Sequence, residues 1–425
     1  MIQTLRNAWR IEEIRKKILF TLLIVLLYRI GNAIPVPFVN TVLLQQYFSY
    51  LQNTALGLLD AMSGGSFSNA TIFALSIQPY INASIIIQLL CIAIPALERM
   101  SKEEGEEGRK KIASITRYST VAIGLLQGFG YYMLMKNNGI IVADAANSVW
   151  AAIIIILTFT SGSALIMWLG EQITEFGVGN GISIILFASI ISRFPNSVIT
   201  SIQNVINGSL SWWAAVLVFL GALALIVLIV FVNDAERRIP VQYAKRVVGR
   251  KMYGGQSTHL PMKVNMSGVM PIIFASSISS IPATIAAFTG HSESAWAKTN
   301  TIPYAIIYLL LIIFFAYFYS TIQFNPIEVA NNLKKNGGYI PGFRPGKPTS
   351  EFIQRVLNKI TLFGAIYLGI IAVTPILVSH FSNAAALTGL SLGGTSIIIV
   401  VGVALETVRA IEAQMLMRNY KGFLS

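Results

Sequence analysis

Long apolar runs recur along the chain, each broken off by proline, glycine or a cluster of charge. Because roughly 30 Å of hydrocarbon is crossed by about 20 residues at 1.5 Å rise, runs of that length predict transmembrane helices. Ten qualify: Ile18–Pro37, Ile72–Ala96, Ile115–Met135, Val149–Leu169, Ile182–Ser201, Trp212–Val232, Gly268–Phe288, Pro303–Gln323, Ile360–His380 and Leu392–Ala410. The pattern predicts an all-α polytopic membrane protein, since in lipid the backbone must satisfy its own hydrogen bonds.

One stretch fits neither a span nor an ordinary loop. From Leu58 to Asn69 the chain reads LLDAMSGGSFSN, too apolar for exposure, yet interrupted by Asp60 and the hinge-like pair Gly64 and Gly65. A repeat also emerges. The second run holds Pro79, Ile81, Ala83 and Ser84 in the pattern P-x-I-x-A-S, and the seventh holds Pro271, Ile273, Ala275 and Ser276 in the same pattern. These are the second places of two successive groups of five spans, and five is odd, so the halves run in opposite senses with a working site between them. We place the halves at 1–205, with an external segment 57–69, and 206–425, with long cytoplasmic loops 233–265 and 324–358.

Composition agrees with lipid as the main solvent: 54% of residues are hydrophobic, 12% are charged and the mean hydropathy is +0.66. The charge is uneven as well as scarce. Arg6, Arg10, Arg15, Lys16 and Lys17 precede the first span; Arg99, Lys102, Arg109, Lys110 and Lys111 follow the second. Arg237, Arg238, Lys245, Arg246, Arg250, Lys251 and Lys263 follow the sixth, and Lys334, Lys335, Arg344, Lys347, Arg355 and Lys359 follow the eighth. The alternate connections hold only Lys136, Arg193 and Lys298, so the positive-inside rule predicts cytoplasmic termini and an outward-facing 58–69 stretch. The fourth connection, GEQITEFGVGN, lacks basic residues and takes its side from its neighbours. The first run has the basic flank of a signal peptide, but it ends in Ile34-Pro-Val-Pro and nine spans follow, which predicts a permanent helix.

Candidate chemistry is sparse. A single cysteine, Cys91, excludes an internal disulfide; HExxH and GxGD motifs are absent; His259, His291 and His380 lack partner spacing. No catalytic, metal or cofactor site is predicted. The glycines of Phe176-GVGNGIS follow no strand and precede no lysine, so they read as a turn with Asn180 capping the fifth helix. An inverted repeat suits either a secondary solute transporter or a pore with an apolar constriction. A transporter needs ionisable groups at mid-membrane, whereas Arg29, Arg193, Glu406 and Arg409 all lie toward span ends, which favours the pore.

Six segments, in order along nearly the whole chain, resemble the SecY family of protein-conducting channels in its bacterial form: GLLDAMSGGSFSNATIFALSIQPYINASIIIQLL, GVGNGISIILFASI, AERRIPVQYAKRVVGR, LPMKVNMSGVMPIIFASSI, NPIEVANNLKKNGGYIPGFRPG and GGTSIIIVVG. The resemblance implies a translocation channel for unfolded secretory polypeptides in the cytoplasmic membrane, with lateral release of transmembrane segments into lipid. It implies that 57–69 is a plug in the external funnel, with Leu58, Leu59, Met62 and Phe67 against the constriction, Asp60 among them, and Gly64 and Gly65 as hinges. The constriction implied is a ring of Ile81, Ile85, Leu186, Ile190, Ile273 and Ile399, where Leu186 replaces a commoner isoleucine. Such a ring holds ions back by dewetting.

The resemblance also implies a lateral gate between the second and third spans and the seventh and eighth. Gln127 and Asn265 match its polar positions, and Cys91 stands where threonine is more usual. Docking of a SecA motor ATPase or the ribosome, including ribosomal RNA, is implied for the protruding loops with Arg237, Arg238, Lys245, Arg246, Arg250 and Arg344; rigid prolines and glycines surround Arg344. Other implied partners are SecE-like and SecG-like small membrane subunits, signal sequences, nascent polypeptides and membrane lipids, with no cofactor.

Overall fold

In hydrocarbon a helix keeps every interior N–H and C=O paired within one segment, and the apolar runs obey this. The computed structural model describes residues 2–50, 55–102, 104–145, 147–208, 211–243, 246–248, 251–253, 257–288, 301–381 and 394–421. Its helices are α1 (Ile2–Arg10), α2 (Glu12–Gly31), α3 (Thr41–Tyr50), α4 (Ala55–Met62), α5 (Gln78–Ala93), α6 (Pro95–Lys102), α7 (Gly105–Asn137), α8 (Val149–Phe176), α9 (Gly181–Ile206), α10 (Trp212–Asp234), α11 (Met270–Phe288), α12 (Ile302–Gln323), α13 (Pro326–Lys335), α14 (Lys347–Phe381) and α15 (Gly394–Lys421). The strands are β1 (Glu236–Tyr243), β2 (Arg246–Val248), β3 (Lys251–Tyr253), β4 (Ser257–Lys263) and β5 (Gly338–Tyr339). Among the described residues, ten helices answer the ten apolar runs: α2, α5, α7, α8, α9, α10, α11, α12, α14 and α15.

Two span boundaries move. The first run is helical only to Gly31; beyond it Pro35 bridges Thr71 and Val39 bridges Ile141, so its tail joins a folded cap at one end of the bundle. The second run reads as a span from Ile72, but residues 63–77 form successive turns, and the helix begins at Gln78 with Pro79 in its first turn. Ala70 at φ 43° and Ser76 at φ 49° account for this, because a left-handed residue breaks helical propagation whatever the local hydropathy. Asn180 caps α9 as expected, its Oδ1 accepting from the backbone N–H groups of Ile182 at 3.0 Å and Ser183 at 3.4 Å.

Of the apolar bodies among the described residues, three position the site. The largest runs through the bundle from α2 to α15. A second, at the capped end, packs Leu44, Phe48, Phe67, Tyr131, Met135 and Phe159. The third, at the opposite end, lies under the strands, where Ile239, Val241 and Met262 meet Ile353 and Leu357 of α14. There the long loops are more ordered than the sequence predicts. β1 runs antiparallel to β4 with Ile239 opposite Leu260, and β5 adds to the far end of β1 at Gln242 and Tyr243. Since β5 reaches only those last residues, Pro240 sits in β1 where no second neighbour needs its missing N–H. Asp234 and the Asn233 carbonyl accept from Arg409 of α15 at 2.5 and 3.0 Å, fastening α10 to α15 beside the sheet. Near this junction, partial burial and then the Arg409 guanidinium hold the Lys263 ammonium below the usual lysine range.

The capped end is also packed tightly against α8. A Cβ added at Gly162 would stand 2.0 Å from the Ile72 carbonyl oxygen, whereas one added at Gly221 on lipid-facing α10 would meet nothing within 4 Å. Gly162→Ala should therefore destabilise the protein by about 1–3 kcal/mol through forced displacement of backbone. Gly221→Ala should stabilise it by up to about 1 kcal/mol through helix propensity. Thermal melting in detergent micelles checks the order: Gly221→Ala at or above the parent, Gly162→Ala below it.

Candidate functional site

Four helices converge on the largest apolar body. On α5 an i,i+4 spacing puts Ile81 and Ile85 on one face; Leu186 and Ile190 repeat that spacing on α9; α11 contributes Ile273 and α15 contributes Ile399. None is more than 4% exposed, and all six belong to one continuous cluster. Pro79 and Pro271, at matching places in the sequence repeat, each stand at the second residue of their helix, so Ile81 and Ile273 lie at equal depth from the two starts.

The 57–69 segment closes over one end of this cluster. It starts on α4, to which Leu58 belongs; the Leu58 side chain lies outside the described part. Met62 joins the same apolar cluster as the six aliphatics, and its sulfur lies 3.5 Å from Gln78 Nε2. Leu59 and Phe67 turn instead to the second apolar body, where Phe67 stacks on Tyr131 with centroids 4.2 Å apart. The Tyr131 hydroxyl donates to the Phe67 carbonyl. Past α4 the chain reverses through Gly64 at φ 72° and Gly65 at φ 86°. Any Cβ at Gly64 would come within 2.7 Å of the Ser189 carbonyl oxygen on α9, so only glycine permits this approach. The turn satisfies its own polar groups: Ser63 Oγ accepts from Phe67 N–H at 3.1 Å, and Asp60 Oδ1 accepts from Ser68 N–H at 2.8 Å.

Between α5, α7 and α11 lies a cleft of about 320 Å³, with Leu59, Ser63 and Phe67 along one wall. Its polar lining is Gln78, Asn82, Gln127, Ser280 and Thr284, amid Ile86, Ile123, Leu126, Ile281 and Ile285. Ser277 Oγ of α11 donates to Gln78 Oε1 of α5 at 3.4 Å, long enough to be weak. Of the positions the resemblance implies for a lateral gate, Gln127 lines the cleft. Cys91 lies nine residues beyond Asn82 on α5, about 14 Å along the helix axis. Asn265 lies before α11 and donates to Asn233 Oδ1 at 2.9 Å. Among the described residues, no hydrogen bond joins those three.

The opposite end carries the basic residues. Arg237 and Arg238 are exposed on β1, Arg238 being 3.7 Å from Glu236. Arg246 begins β2, while Lys245 and Arg250 lie outside the described residues. Arg344 is exposed on a turn between Gly342 at φ 86° and Gly346 at φ 106°. Phe343 anchors that turn by stacking on Phe352 at 4.2 Å, and Thr349 Oγ1 donates to the Arg344 carbonyl at 2.7 Å.

A family model described as SecY matches residues 71–408, most of the chain. The chain belongs to the SecY family. It is 45% identical over 442 residues to the protein translocase subunit SecY of Streptomyces scabiei, covering all of both chains. Among solved structures, its fold is similar to a protein-conducting channel, with a TM-score of 0.67 at 17% identity over 95% of this chain and 93% of the other. It is also similar to Sec61 in the canine ribosome–channel complex from the endoplasmic reticulum, with a TM-score of 0.64 at 16% identity over 95% and 93%. The SecY-type fold thus accounts for ten spans in inverted halves around the central apolar cluster.

Several residues at this site escape a reading of the sequence: Gln78 and Ser277 across the cleft, Tyr131 under Phe67, and Arg193, whose Nη1 lies 2.9 Å from Asp60 Oδ2. Only the last pair leaves a signal, since an acid in an apolar segment requires a cation somewhere. The cluster itself gives a direct test. Ile399→Asn places hydrogen-bonding groups within the buried apolar cluster and should admit water, raising the ion conductance of the reconstituted channel, whereas Ile399→Leu should leave it near the parent value. Planar-bilayer recordings of both variants separate polarity from packing.

Proposed function

We propose that this chain is the channel through which unfolded secretory polypeptides cross the cytoplasmic membrane and from which transmembrane segments leave sideways into lipid. The observation that carries the reading is the six-residue aliphatic cluster, drawn from spans of both halves and covered at one end by a folded-back segment. A closure of this kind holds back ions by dewetting and yields to any passing side chain, because it contains no charge and no fixed hydrogen bond. In this reading Ile81, Ile85, Leu186, Ile190, Ile273 and Ile399 are the pore ring, and 57–69 is the plug. The cleft between α5, α7 and α11 is the way out to lipid; its wall combines apolar residues with scattered amides and hydroxyls. Weak interhelical hydrogen bonds there, each worth about 0.6–2 kcal/mol, keep the halves together without locking them.

The positive-inside rule puts both termini and the basic sheet end in the cytoplasm. The Arg344 turn and the β1–β4 sheet are then the docking surface for a motor ATPase or a ribosome, and the phosphates of ribosomal RNA suit exposed arginines. Energy comes from that partner or from the membrane potential. Small SecE-like and SecG-like subunits complete the assembly around the lipid-facing spans. A solute transporter is the weaker reading, because the centre of the bundle offers aliphatic side chains where an ion-coupled site needs carboxylates.

Removing 57–69 should leave an inserted protein that leaks ions and accepts poor signal sequences, since closure then rests on the ring alone. Unchanged leak in planar bilayers and unchanged signal selectivity would reject the plug. Arg344→Glu should abolish translocation into reconstituted vesicles while leaving expression and insertion at parent levels; normal translocation would show that the charge serves only topology.

A further inference from the structure

The 57–69 segment is not held evenly. Outside itself, its described hydrogen bonds and its ion pair all go to the first half of the chain. Gln45 Nε2 of α3 donates to Asn69 Oδ1 at 2.5 Å, Gln78 reaches Met62, Tyr131 reaches the Phe67 carbonyl, and Arg193 reaches Asp60. Toward α11, in the second half, α4 makes apolar packing contacts without a described hydrogen bond, and the cleft lies beside them.

Asp60 is the one acid in this segment and is only 5% exposed. Such a carboxylate is costly unless paired, and its partner stands three residues beyond Ile190 on α9, with a side chain 39% exposed. The turn wraps around that arginine: a Cβ on Gly65 would lie 4.0 Å from Arg193 Nε, and Gly64 is pressed against Ser189. Ser189 is itself fixed, its hydroxyl 2.6 Å from the Tyr28 hydroxyl.

We infer that Asp60 and Arg193 form an ionic latch that fastens the plug to α9, so that the plug stays with the first half when the halves separate and is displaced only when the pair parts. The inference rests on the plug reading above and adds what holds the plug and to which side. Opening then begins along the cleft, where contacts are apolar or weak, and ends at the latch, where a desolvated carboxylate must find water before its partner lets go.

The test is a cycle of Asp60→Asn, Arg193→Gln and the double variant, read as closed-state ion leak in planar bilayers beside the 57–69 deletion. Asp60→Asn keeps the oxygen that accepts from Ser68, so the turn retains its shape. Should it still fail to accumulate, Arg193→Gln, which changes a partly exposed side chain, carries the same test. Each single variant should raise the leaking fraction about tenfold, which is about 1.4 kcal/mol of lost closed-state preference, and the double should leak no more than either single. Parent-level leak in the single variants, or a double that multiplies the two effects, overturns the latch while a leaking deletion leaves the plug in place. A deletion that does not leak overturns both.

Discussion

A peptide group left unpaired in hydrocarbon costs several kcal/mol, and the rest of this structure is arranged around that fact. It makes the ten spans helical, and it makes the irregular backbone at the capped end costly. Residues 63–77 lie there in turns, with Gly64, Gly65, Ala70 and Ser76 at positive φ. They persist because serine and threonine hydroxyls, Asp60 and the Tyr131 hydroxyl complete the hydrogen bonding that a helix would have supplied. Irregular backbone at membrane depth is tolerated where protein rather than lipid surrounds it, which is the case here: Ala70, Thr71, Ser76 and Ile77 are almost wholly buried.

A second balance follows. The centre of the bundle is closed by aliphatic packing, which is strong in sum and weak at each contact, so it can open without breaking any single costly interaction. Buried hydroxyl pairs such as Tyr28 with Ser189 and Ser320 with Thr361 tie neighbouring helices, while the ion pairs described above lie toward the two ends. Arg409 with Asp234 and Asn233 at the sheet end, and Asp60 with Arg193 at the capped end, bracket an interior held by dispersion and dewetting.

Much of this was legible in the residues. Lipid writes its requirement into every span as hydropathy, so the number and order of spans could be read directly, and the P-x-I-x-A-S repeat exposed the symmetry because it marks the same turn of two helices. What was not legible depends on backbone or on distance. Ile72 to Ile77 is as apolar as the helix it precedes, and nothing in its hydropathy shows that Ser76 takes a left-handed φ. The β1–β4 sheet was hidden because its alternation spans only Ile239 and Val241 and is interrupted by Pro240. Asp60 and Arg193 each stood out as a lone charge, but their meeting across 133 positions is a property of the folded chain. Gln127, Cys91 and Asn265 came from resemblance, and the fold spreads them over three places, on α7, near the end of α5 and before α11.

The sheet has a mechanical meaning. β1 continues directly from α10 and β4 runs into the approach to α11, and their roots are stapled by the Val264 N–H to the Ala235 carbonyl at 2.9 Å and by Asn265 to Asn233. Seven paired residues at about 3.3 Å each make the hairpin a stiff arm of roughly 23 Å. A load applied at its tip is therefore delivered at the base as torque between the sixth and seventh spans, one of which supplies a wall of the cleft.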